Sequence, residues 1–120
     1  MFKEEISKAI GNHGLWKARL LGAIETGKSE WDAQTVENHR GCEFGKWLLS
    51  IEKEQNGSEH FKKVASLHEA FHKEAARVLR LALAGNKKEA LKAIDHTGTY
   101  ARQSGDLTAE MVKWRSESRG

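Results

Sequence analysis

The chain has 120 residues, no proline, a single cysteine and a formal net charge of +3 from 20 basic and 17 acidic residues. That length is enough for one domain with its own core, and the lack of proline beside abundant Ala, Leu, Lys and Glu favours long helices over a sheet. Basic and acidic residues are interleaved without a basic block, so no nucleic-acid face is expected. No run approaches the roughly 20 apolar residues of a membrane span. Glu4 and Glu5 stand where a secretory signal would be apolar, which points to a cytoplasmic protein with no membrane association. A lone cysteine excludes an internal disulfide, so Cys42 is either a small buried hydrophobe or a chemical group.

Phe2, Ile6, Ile10, Leu20 and Ile24, with Trp16 and Ala23 beside them, recur at helical spacing and predict a first helix from Phe2 to about Ile24. His13 stands in that stripe where the pattern asks for an apolar residue. Thr26-Gly27-Lys28-Ser29 ends the helix, and the polar stretch to Gly41 reads as a loop or a broken helix in which Asp32 can cap a short turn. A short second helix begins at Cys42 and runs through Leu49. Gly45 lies one turn after the cysteine, where the missing side chain leaves room for a close neighbour.

Gln55-Asn56-Gly57-Ser58 is a turn, with Ser58 as the N-cap of a long helix reaching about Ala84. Its stripe is Phe61, Val64, Ala65, His68, Phe71, His72, Ala75, Val78, Leu79 and Ala82, so two more histidines occupy apolar positions. Gly85-Asn86 stops this helix. A last one is expected from about Lys87 to Trp114, carrying Ala90, Ile94, Ala101, Leu107, Met111 and Trp114, with small residues Thr97, Gly98, Ser104 and Gly105 in its middle. Long helices joined by short turns give the expected fold class: all-α, an antiparallel four-helix bundle with an additional short helix or irregular segment carrying Cys42. Residues 1–120 are expected to form a single domain.

His68 and His72 are four apart on one helix, so their Cβ atoms stand about 5–6 Å apart and both rings can reach one metal ion. Such a pair is weak evidence alone, because a buried histidine is often merely hydrogen-bonded. His13 and Cys42 sit in contexts from which they can point at the same core, which makes four donors of types that zinc accepts tetrahedrally. His39 in the irregular stretch, His60 near a helix start and His96 in the last helix read as surface or capping residues. Trp16, Phe44, Trp47 and Phe71 read as packing around the site.

The segments His13-Gly14-Leu15-Trp16, Cys42-Glu43-Phe44-Gly45-Lys46-Trp47-Leu48 and His68-Glu69-Ala70-Phe71-His72 resemble the signatures of the chemoreceptor zinc-binding (CZB) family. The central cysteine string is the most specific of the three. The resemblance implies a helical, non-enzymatic zinc-binding module of bacterial signalling, with Zn2+ held by His13, Cys42, His68 and His72. It further implies a homodimer serving a chemoreceptor or a diguanylate cyclase in cis or in trans, responsive to zinc or to oxidation of Cys42 by agents such as hypochlorous acid. Three neutral imidazoles, one thiolate and Zn2+ sum to +1, so a carboxylate behind the ligands is expected, with Glu69, Asp95 and Glu43 as candidates.

Two other readings compete. A hemerythrin-like diiron bundle would use His13, His39, Glu43, His68, His72 and His96, but Ala101 stands where that pattern needs an acid. A metal-free helical interaction module would leave the chain indifferent to chelators. A zinc hydrolase is disfavoured, because four protein donors leave no open coordination position.

Overall fold

The structure is a computed structural model that describes residues 2–117, with Phe2 described at its backbone only, so the apolar role expected of the Phe2 side chain lies outside the described residues. Its elements in order are α1 (Phe2–Gly14), α2 (Trp16–Thr26), α3 (Ala33–Glu37), a 3₁₀ turn (His39–Gly41), α4 (Glu43–Ile51), α5 (Glu59–Leu83), α6 (Lys87–Ile94) and α7 (Thr99–Glu117). No strand occurs among the described residues. The architecture is the expected antiparallel bundle, with α1 and α2 forming one arm, α5 the longest, α6 and α7 the return, and the short α4 carrying the cysteine end.

The long α5 organises the rest, packing against α2, α3, α6 and α7, while α1 packs on α7. Ser58 accepts the Phe61 N–H at 3.2 Å and starts α5. Gly85, at φ +82°, lets the Asn86 N–H reach back to the Leu81 carbonyl at 2.9 Å and ends it. The predicted stripe is the buried face: Phe71, Val64, Val78 and Leu79 are essentially inaccessible, and burial of each such side chain contributes about 1.5–3 kcal/mol.

Two long helices foreseen as continuous are each divided. The first breaks at Leu15, whose N–H bonds the Asn12 carbonyl three residues back, a 3₁₀-type turn between Gly14 and Trp16. The last breaks over Asp95 to Gly98. There the Gly98 N–H bonds the Asp95 carbonyl at 2.7 Å, and a Cβ on Gly98 would overlap the carbonyls of Lys92 and Ala93. Thr97 and Gly98 therefore make a bend, not the middle of a helix, and the small residues from Thr97 to Gly105 form no continuous helical seam. Arg77 on α5 clamps the start of α7, donating to Glu74 and to the Thr99 hydroxyl, both at 2.8–2.9 Å.

Candidate metal centre

The bundle brings His13, Cys42, His68 and His72 to one point, where one donor atom from each lies within 4.8 Å of all the others. α1 presents His13 from its last turn, α5 presents His68 and His72 one turn apart, and Cys42 caps the start of α4. The three imidazoles are 7 %, 0 % and 3 % exposed in chain order, so their ring nitrogens must find partners inside the fold. Their centroids are 4.5 to 5.5 Å apart. Zinc bonds of about 2.0–2.3 Å set tetrahedral donors roughly 3.3–3.8 Å from one another, so the cluster needs only a small closure. The Cys42 Sγ to His68 Nε2 separation is already 3.2 Å.

Ring orientation fits a metal as well. His13 Nδ1 lies 2.7 Å from the Ala9 carbonyl and His72 Nδ1 2.7 Å from the Val36 carbonyl, so each donates its Nδ1–H and keeps the Nε2 lone pair. His72 Nε2 is buried with no hydrogen-bond partner. An acceptor left bare in the core is costly unless something electrophilic meets it.

Electrostatics keep these donors in ligand form. Burial, reinforced by the neighbouring His72, His13 and His39, holds His68 down at about 2, and burial holds His72 at about 4. His13 is also lowered, its burial outweighing the Ala9 hydrogen bond. Cys42 behaves otherwise than its helix-start position suggests. Its sulfur accepts the Gly45 N–H at 3.3 Å, yet burial pushes the thiol up. The helix dipole is therefore not enough to make a thiolate, and a bound cation would supply the missing charge.

Aromatic side chains enclose the centre. Phe44 meets His13 and His68 edge-on at 5.8 and 5.1 Å, Trp47 stacks on Phe44, and Phe71 packs against His13. A cleft of about 300 Å³, walled by Trp16, Trp31 and Val36, reaches His13, Cys42 and His72. Arg19 lies over both indoles at its side.

Two of the three expected carboxylates are engaged elsewhere: Glu69 pairs with Lys73 at 3.2 Å and Asp95 pairs with His96. Glu43, exposed, lines the cleft beside His13, Cys42 and His72, and its charge adds to the upward push on the Cys42 thiol. Backbone carbonyls of Ala9 and Val36 hold two of the imidazoles. His60 pairs with Glu117. Of the diiron set, Glu43 is exposed and the His96 side chain is 88 % exposed and paired with Asp95, so that set is not assembled. His39 stays outside the four-donor cluster, in keeping with its reading as a surface or capping residue, but it is half-buried: its ring lies 5.9 Å from that of His68, and its carbonyl is 3.5 Å from the Cys42 sulfur.

Three buried imidazoles and one cysteine converging from three segments of a helical bundle define a possible zinc site in an all-α domain. The sequence model of the family described as "Chemoreceptor zinc-binding domain" matches residues 13–79, which is more than half of the chain and spans all four donors. The chain belongs to this zinc-binding family. No curated protein matches it, and no solved structure does. No helix among the described residues is long and apolar enough to cross a membrane.

Proposed function

We propose that residues 1–120 form one cytoplasmic sensory domain that holds a single zinc ion through His13, Cys42, His68 and His72 and transmits changes at that site to a signalling partner. The convergence of four zinc-accepting donors is the observation that supports this most. Bound zinc would supply the positive charge that keeps Cys42 a thiolate and would tie α1, α4 and α5 together. The chain's own groups prepare the site. The Ala9 and Val36 carbonyls fix the tautomer of His13 and His72, the Gly45 N–H caps the sulfur, and Phe44 and Phe71 pack edge-on against the His13 ring.

Four donors fill a tetrahedral shell and leave no place for a water nucleophile, which favours regulation over hydrolysis. Loss of one donor, by withdrawal of zinc or oxidation of Cys42, would free α4 and the 3₁₀ turn from α5 and change the surface offered to a partner. Family membership supports a homodimer acting on a chemoreceptor or a diguanylate cyclase, in cis or in trans. Elemental analysis of purified protein beside Cys42→Ala and His68→Ala/His72→Ala tests the reading, with one zinc per chain expected only in the parent. Full occupancy in the double variant would refute the ligand set.

A further inference from the structure

We propose that His39 is a positioning residue for the metal centre: its imidazole accepts the Nδ1–H of His68 through one bridging water and so fixes the ligand nearest Cys42. This rests on the zinc reading of the site. The three ligand histidines are not held alike. His13 and His72 each set Nδ1 on a backbone carbonyl at 2.7 Å. His68 has its Nε2 3.2 Å from the Cys42 sulfur, while its Nδ1 is buried without a hydrogen-bond partner. With Nε2 bound to a metal, Nδ1 carries the proton, and a buried N–H of this kind requires an acceptor.

A cavity of about 250 Å³ adjoins His68, and its polar lining includes His39, Arg40, Glu52, Ser66 and Glu69. Arg40 has only donors. Glu69 is taken by Lys73 at 3.2 Å, and Glu52 and Ser66 are exposed. His39 is half-buried, its ring stands edge-on to His68 at 5.9 Å and 81°, and a neutral imidazole offers one acceptor nitrogen. A water in a polar cavity of that size can complete the bridge.

His39 also reaches the other ligand. Its carbonyl packs against Gly45 and lies 3.5 Å from the Cys42 sulfur, accepting the thiol proton when no metal holds the sulfur as a thiolate. One residue thus touches Cys42 by its backbone and His68 by its ring, so release of the sulfur disturbs a second donor.

Zinc affinity by chelator competition in His39→Ala, His39→Gln and Glu69→Gln tests this, together with the His68 ring N–H resonance of the zinc-loaded protein. His39→Ala is expected to weaken zinc about 10- to 100-fold and to lose a slowly exchanging Nδ1–H signal. His39→Gln, which keeps an acceptor, is expected to restore most of both, and Glu69→Gln to change neither. Unchanged affinity in His39→Ala, or equal losses in His39→Ala and His39→Gln, would overturn the role of His39 while leaving the zinc site standing. A parent protein that binds no zinc would overturn both.

Discussion

A Cβ on Gly45 would overlap the carbonyl oxygen of His39, so the 3₁₀ turn and α4 meet backbone to backbone. That approach aims the Cys42 sulfur at α5, because Cys42 is the single residue between the two elements. Gly45→Ala gains roughly 1 kcal/mol of helix propensity, but the overlap is with main chain, which cannot rotate away. A net loss of about 1–3 kcal/mol is expected, with zinc affinity lowered about tenfold or more as the sulfur shifts. Denaturant unfolding with and without zinc checks both. Parent-like values would mean that this contact does not set the site.

The metal-free centre is a poor core, since it buries nitrogen atoms that nothing satisfies. His68→Leu removes one such ring and fills its volume with carbon. After chelation, this variant is expected to match or exceed the parent by about 1 kcal/mol. In excess zinc the order reverses, because only the parent gains from binding, about 2.7 kcal/mol when free zinc is roughly 100 times Kd. Melting curves in chelator and in zinc read the crossover, and a variant inferior in both would assign His68 an ordinary structural role.

The same burial gives a pH dependence. His68 and His72 titrate at about 2 and about 4 in the fold, below their ordinary value of 6.5. Below pH 6.5 the unfolded chain takes up protons that the fold refuses, so stability is full above that pH and falls as pH drops toward 4 for His72 and toward 2 for His68. The slope is at most about 1.4 kcal/mol per pH unit for each histidine that stays neutral. Urea midpoints of chelated protein at pH 7.5 and 5.5 should differ accordingly, and His68→Leu should reduce the difference, leaving the share due to His72 and His13.

The helices and the donors were legible in the sequence because both rest on local rules. Periodicity marked the buried face of α5, Ser58 announced its start, and three histidines in apolar positions marked themselves as anomalies. The breaks at Leu15 and Gly98 were not legible, because the apolar residues on either side of each keep helical spacing, and only the fold shows that α1 packs on α7 while α2 packs on α5. The partners of the histidines were hidden for a related reason: the Val36 carbonyl lies 36 residues from His72, and backbone carbonyls carry no sequence signature. The nearness of His39 to His68 was hidden too, because its stretch has no period and only the fold brings the two rings together.

Cys42 is expected to be the first residue that hypochlorous acid modifies when zinc is bound. Zinc would hold the sulfur as a thiolate, the nucleophilic form, against the upward push of burial. The sulfur is half-buried and lines a cleft of about 300 Å³ that a small oxidant can enter. Attack on the oxidant's chlorine releases hydroxide and forms an S–Cl bond; water then displaces chloride, and the product is a sulfenic acid, a weaker ligand than the thiolate. Trp16 and Trp31 line the same cleft and act as internal competitors, whereas Met111 is fully buried. One equivalent of hypochlorous acid should therefore add one oxygen at Cys42, release zinc in step, and be reversed by a thiol reductant with zinc. Mass spectrometry paired with a zinc-release assay decides the matter: oxidised Trp16 or Trp31 beside intact Cys42 and retained zinc would make the centre a permanent structural clasp.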